Sequence, residues 1–139
     1  MPTTTHRETI AASADKVWSL VGAFGDNSWH GLETTCDGDG LGAVRKVSMP
    51  TGVITELCEE HDPTTRTMQY GVVDNNPFPV SDYHGRMQVE PVDDASCVLT
   101  WASTYEVNEG EDPSQVDADL AVFLKRAARA LKNYAESAS

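Results

Sequence analysis

The stretch that most constrains this chain is its last long one, from Asp112 to about Glu136, the one segment long and periodic enough to read as an unambiguous helix. Asp112 is a good N-cap, Pro113 suits the first helical position, and Gln115 stands where a capping box places its third residue. Val116, Leu120, Phe123, Ala127, Leu131 and Tyr134 recur at steps of three and four and make one apolar stripe. Asp117 and Asp119 near its start, and Lys125, Arg126, Arg129 and Lys132 towards its end, complement the helix dipole. A one-sided helix needs an apolar surface to lie on, and nearly everything before it reads as strands.

The chain has 139 residues, enough for one domain with a core that needs no staples. No apolar run approaches the roughly 20 residues of a membrane span, so stable insertion in a membrane is not expected. No apolar segment follows Met1–Arg7, so no signal peptide is read and a cytoplasmic location is the default. Net charge is −12, a field that disfavours nucleic acid, because neutralising phosphates needs a basic face. Cys36, Cys58 and Cys97 are an odd count without a CxxC pair, which points to small buried or half-buried thiols.

Along the chain, Thr4–Ala11 alternates as a first strand with His6, Glu8 and Ile10 on one side. Ser13 caps a short helix over Ala14–Val21, and a second short helical turn is expected around Asp26–Trp29. From Gly31 the period changes to two. The segment Leu32–Cys36 alternates, Gly38–Gly42 turns the chain, and strands follow at Ala43–Met49, Val53–Glu60, Thr67–Val73, Val80–Val89 and Ser96–Val107. Short connections between consecutive strands give an antiparallel meander. The fold class is therefore α+β: a strand, two small helices, further strands and a long helix. A sheet curved around one helix leaves a cavity between them.

One hairpin fixes its own register. With Pro50 and Thr51 at the tip, Met49 faces Gly52, Val47 faces Ile54 and Arg45 faces Glu56. The apolar members put this face inside, so Arg45 and Glu56 form a partly buried ion pair. In the last strand Cys97, Leu99, Trp101, Ser103, Tyr105 and Val107 share the inner face; Tyr70, Tyr83 and Met87 point inward by the same rule, while Asp82, His84, Arg86 and Gln88 face solvent. Strand-borne Tyr, Trp and Ser groups suit a ligand with carbonyl or phenol oxygens. Trp29-His30 stands where the helices hand over to the sheet, and His30 is a candidate acid or base near neutral pH. Phe78, exposed between Pro77 and Pro79, is a candidate lid in the mouth formed by loops Pro50–Gly52 and Asp74–Pro79. The four histidines lack metal spacing such as HExxH, and GxSxG and Gly-rich dinucleotide motifs are missing, so neither metal nor cofactor is expected.

Read in order, Ile10-Ala11-Ala12-Ser13-Ala14-Asp15-Lys16-Val17-Trp18, Trp29-His30, Gly42-Ala43-Val44-Arg45, Glu56-Leu57 with Asp62-Pro63, Tyr70, Tyr83-x-Gly85 and Thr100-Trp101 form a pattern. It resembles that of the START/Bet v1-like (SRPBCC) superfamily, in its bacterial polyketide cyclase/dehydratase branch, although Gly31 replaces that branch's proline after Trp-His. The resemblance covers about residues 4–136 and implies a helix-grip fold: a curved seven-stranded antiparallel sheet around a long C-terminal helix, with two short helices after the first strand. It implies a small hydrophobic ligand or substrate, polyketide-like or aromatic, and cofactor-independent cyclisation or dehydration. Candidate catalytic residues are Arg45 to stabilise an enolate, Tyr70 or Tyr83 to donate to a carbonyl, and His30 or Glu56 to move the proton. Candidate ligand contacts are Trp29, Met49, Tyr83, Met87, Trp101, Tyr105, Phe78 and Phe123. A carrier or sensor of an apolar molecule is the alternative; a homodimer is compatible with the sequence, which does not reveal an interface for one.

Overall fold

A computed structural model describes residues 1–137. Its elements are β1 (Thr3–Ile10), α1 (Ala14–Val21), β2 (Thr34–Asp37), β3 (Val44–Met49), β4 (Gly52–Asp62), β5 (Thr67–Asp74), β6 (Val80–Asp93), β7 (Ser96–Val107) and α2 (Pro113–Ser137). The seven strands form one antiparallel sheet in the order β1-β7-β6-β5-β4-β3-β2. Among the described residues only the β1–β7 pairing joins strands distant in sequence, so nearly all of the sheet is a meander. α2 crosses the concave side and packs against β1 and β7.

Period-two patterning decides the register. In β3–β4, Met49 pairs with Gly52, Val47 with Ile54 and Arg45 with Glu56, as the hairpin tip requires. Bulges break the β4–β5 ladder between Thr55 and Glu56 and between Cys58 and Glu60; the β6–β7 ladder breaks between Ser81 and His84 and between Pro91 and Asp93. An extra residue on one strand increases local twist and bend, and each of these breaks puts such a bend into the sheet. Between β2 and β3, Gly38, Gly40 and Gly42 all adopt positive φ, which glycine takes without the Cβ penalty.

Helix α1 starts as its sequence directs: the Lys16 amide donates to Ser13 Oγ at 3.1 Å. The second short helix does not form. Asp26 Oδ1 accepts from the Ser28 amide and Asn27 Nδ2 donates to the Leu32 carbonyl, so side chains take up the hydrogen bonding that a helix would use. Residues 24–30 are a run of turns, closed by Gly31 at φ 70°.

The long helix is rotated from the expected stripe. Val116, Leu120, Leu124, Ala128, Leu131 and Ala135 are buried, while Phe123 and Ala127 are only partly so. The reason is that α2 serves two surfaces: one row packs on the sheet and the adjacent row faces the cavity. Asp112 caps it through the Ser114 amide (3.0 Å), but Gln115 donates to Asp119 and makes no capping box. Lys132 Nζ donates to the Thr9 carbonyl at 3.1 Å and to Glu136 Oε2, tying the end of α2 to β1. Cys58 and Cys97 are buried, whereas Cys36 is exposed because β2 is a short edge strand. No helix among the described residues is long and apolar enough to cross a membrane.

Candidate functional site

The curved end of the sheet, the 24–32 segment, the β5–β6 loop and α2 enclose a cavity of about 310 Å³. Its walls are mostly apolar: Val47, Met49, Ile54, Met68, Val72 and Met87 come from the sheet, and Ala127 and Ala130 from the helix. Aromatic rings run along one side. Trp29 and Trp101 are 6.3 Å apart, Trp101 and Phe123 6.5 Å, and Phe123 and Phe78 5.4 Å between centroids, all edge-on.

A compact polar group interrupts this wall. Arg45 Nε donates to Glu56 Oε1 at 2.7 Å, and Arg45 Nη1 donates to the Phe24 carbonyl at 2.9 Å. The guanidinium lies 4.0 Å from the Phe24 ring centroid and 5.2 Å from that of Tyr70, so it is held by charge, hydrogen bond and ring faces together. Glu56 is 8% exposed. A buried carboxylate survives only with a partner, and Arg45 supplies it.

Behind the pair stand two phenols. Trp101 Nε1 donates to the Tyr70 hydroxyl at 3.3 Å, and Tyr83 and Ser103 share a hydrogen bond of 2.5 Å. Burial, reinforced by the nearby Tyr83 and Glu56, holds the Tyr70 phenol well above its ordinary pKa, against the opposing pull of Arg45 and Trp101. Burial likewise raises that of Tyr83. Both remain protonated at neutral pH, as donors and not as bases.

At the cavity edge the Leu32 amide donates to His30 Nδ1 at 3.1 Å. That bond occupies Nδ1 as an acceptor, so the proton of the neutral ring sits on Nε2. Burial and then the Arg45 charge lower the His30 pKa, with Asp26 opposing them. The outer-face His84 is set the other way. Burial alone lowers its pKa, but hydrogen bonds to Glu59 (2.6 Å) and Asp82 (3.0 Å) outweigh it and raise the value. A pH titration of the ring signals by NMR is expected to show His84 titrating above 6.5 and His30 below it. The signs for stability follow. The His30 contribution is present above the unfolded pKa of about 6.5 and declines on acidification; that of His84 is full below it and is lost as pH rises through its folded pKa.

The candidates from sequence thus meet in one place. Arg45, Glu56, His30, Tyr70, Trp29, Met49, Tyr83, Met87, Trp101, Phe78 and Phe123 all line the cavity. Tyr105 does not. It is buried behind the lining, stacked 6.5 Å from Tyr83 and hydrogen-bonded to Thr4 Oγ1 at 2.8 Å, because the inner face of β7 extends past the cavity under the start of α2. Phe78 is half-buried against Phe123, not exposed, since the proline-flanked loop folds inward. Asn76, Pro77 and Phe78 form the rim; residues 50–52 do not reach it.

A sequence model of the family described as polyketide cyclase / dehydrase and lipid transport matches residues 1–136. The chain belongs to that family. No curated protein matches the sequence. Among solved structures this family member is similar to the protein XoxI from Bacillus cereus, at 25% identity and TM-score 0.80 over 97% of this chain and 96% of that one. It is also similar to norcoclaurine synthase from Thalictrum flavum, solved with dopamine and hydroxybenzaldehyde, at 20% identity and TM-score 0.73 over 96% and 85%. A third likeness is to the di-domain ARO/CYC BexL from the BE-7585A biosynthetic pathway, at 22% identity and TM-score 0.81 over 96% of this chain and 46% of BexL. The shared feature is the Bet v1-like helix-grip fold, in which the sheet wraps the C-terminal helix.

Three polar groups of this polyketide cyclase/dehydrase-family cavity escaped the sequence reading: Asp26, Asn76 and Arg126. Asp26 and Asn76 sit in irregular segments with no period to reveal a direction. Arg126 reads as part of a solvated basic face, yet it follows Phe123 by three residues, and that spacing places both on one side of a helix.

Proposed function

We infer that the cavity binds a small hydrophobic molecule bearing oxygen, polyketide-like or aromatic, and promotes its cyclisation or dehydration by acid–base and oxyanion stabilisation. The observation that carries this reading is the Arg45–Glu56 pair, set into an otherwise apolar wall beside the protonated phenol of Tyr70. An ion pair is a poor device for stability alone, since desolvation offsets much of its Coulomb energy. Placed where a carbonyl enters, it offers a cation for a developing enolate and a carboxylate to take a proton. Tyr70 donates to the same oxygen, and His30, with its proton on Nε2, donates from the cavity edge. The family's cyclase/dehydrase description and the fold shared with norcoclaurine synthase and BexL support chemistry in such a cavity.

The test is incubation of purified protein with short β-polyketones, followed by analysis of the product distribution. Accelerated formation of cyclised or dehydrated product, lost in Arg45→Met and reduced in Tyr70→Phe, is the expected result. A distribution identical to that without protein contradicts catalysis. The family's lipid-transport description and the apolar wall favour a second reading, a carrier. Then the same variants weaken binding in proportion to the contacts removed, and no product forms.

A further inference from the structure

The Arg45–Glu56 pair is joined by one hydrogen bond, between Nε and Oε1, and not by two. Arg45 uses Nη1 on the Phe24 carbonyl. Arg45 Nη2 and Glu56 Oε2 therefore make no hydrogen bond with another described residue. Among the described residues no buried side-chain nitrogen or oxygen lacks a partner, so both atoms must remain accessible. Both side chains line the cavity and are otherwise largely buried, with 16% of Arg45 and 11% of Glu56 exposed, and the cavity is the space that the two share. The cavity wall thus presents one cationic N–H donor and, beside it, one anionic acceptor, from a pair with no net charge.

We propose that this half-open pair selects a neutral ligand head carrying an acceptor and a donor side by side, and rejects one that arrives as an anion. The fitting class is a carbonyl conjugated to an O–H, the enol of a 1,3-dicarbonyl. Its carbonyl oxygen accepts from Nη2 and its O–H donates to Oε2. A pre-formed carboxylate also has an oxygen for Nη2, but its second oxygen meets Oε2, two acceptors of like charge with no proton between them. Glu56 is thereby the residue that determines specificity.

The proposal rests on the catalytic reading above and refines it, because neutral selection keeps the charge balanced through the proposed step. The ligand's O–H bond breaks, its electron pair stays on the oxygen, and the proton goes to Oε2. Glu56 becomes a neutral acid, the enolate faces the Arg45 guanidinium, and the total charge of pair plus ligand is the same before and after. A ligand bound already as an anion would leave Glu56 charged beside it.

The experiment needs no turnover. Quenching of tryptophan fluorescence is titrated with 2-naphthamide, 2-acetylnaphthalene and 2-naphthoate, which share a ring system and differ in the head. The amide offers an acceptor beside an N–H donor, the ketone an acceptor alone, the carboxylate two acceptors and a charge. Wild type is expected to bind the amide tightest, with the ketone weaker by up to about tenfold, as one lost hydrogen bond implies, and the carboxylate weakest. In Glu56→Gln the arginine is left without its counter-charge, so naphthoate is expected to gain roughly tenfold or more relative to the amide. Naphthoate binding best to wild type, an order unchanged in Glu56→Gln, or no binding of the amide overturns the proposal. Should Glu56→Gln not fold, the double variant Arg45→Met with Glu56→Leu, which removes both the donor and the acceptor, replaces it, and the preference for amide over ketone must then disappear. Amide preference without conversion of any β-polyketone would leave this selection standing and sink the catalytic reading instead.

Discussion

Glu56→Gln is expected to lower the free energy of unfolding by about 3 kcal/mol, read from a urea denaturation midpoint at unchanged slope. The substitution keeps the volume and one acceptor but leaves the Arg45 guanidinium, pressed between Phe24 and Tyr70, without its counter-charge. A pair on the outer face of the sheet would cost only about 0–1 kcal/mol when broken. The two positions therefore predict clearly separated results. The loss is expected to be partly reversed by adding Arg45→Met, which removes the orphaned charge and fills the site with an apolar side chain. With typical domain stabilities of about 5–15 kcal/mol, the single variant still folds. A midpoint equal to wild type would remove the buried pair and the functional reading built on it.

The second large effect is expected at Gly85. A Cβ at this position would lie 2.3 Å from Tyr70 Cζ and 2.5 Å from its hydroxyl oxygen. Gly85 is paired with Tyr70 across β5 and β6, and the ring lies over the bare backbone. The neighbour is a buried ring held by the indole of Trp101 and flanked by Arg45, so it has little room to yield. Gly85→Ala is expected to cost about 2–3 kcal/mol, in the range of overpacked cores. It should also displace the Tyr70 hydroxyl from the cavity. Differential scanning calorimetry measures the first effect. The second is measured by comparing ligand affinity with that of Tyr70→Phe, which loses the hydroxyl and keeps the ring. Wild-type stability in Gly85→Ala would mean that Tyr70 has another resting place.

Much of this arrangement is legible from the residues because alternation along a half-buried strand is a strict code. Arg45, Val47 and Met49 share a face with Ile54 and Glu56 whatever the rest of the chain does, since a slip of one residue would expose three apolar side chains. The same code places Tyr70, Tyr83, Met87 and Trp101 inside. It says nothing, though, of where along a strand the cavity stops. Tyr105 has the right face and the wrong height, and it meets the closed part of the core. Helical periodicity is looser, because adjacent rows on α2 differ by only about 100° and both are apolar. Phe123 and Leu124 exchange roles for that reason: the first faces the cavity and the second the sheet. The segment from Phe24 to Leu32 carries no period at all. Its shape depends on Asp26 and Asn27 bonding to the local backbone and on Arg45 reaching the Phe24 carbonyl, a contact made only once the sheet has formed.

The proposed function requires an oxygen-bearing apolar ligand in the space beside Arg45, Glu56 and Tyr70. The three tryptophans provide its most direct test. Trp29 and Trp101 line the cavity, whereas Trp18 packs outside it with its ring 5.2 Å from that of His61. Titrating ¹⁵N-labelled protein with 2-naphthamide should move the indole N–H signals of Trp29 and Trp101, and the Arg45 Nε–H signal with them, while that of Trp18 stays in place. Saturable shifts confined to that set are the predicted result. A Trp18 shift as large as the other two, or saturable binding that leaves Trp101 and Arg45 unmoved, would contradict it.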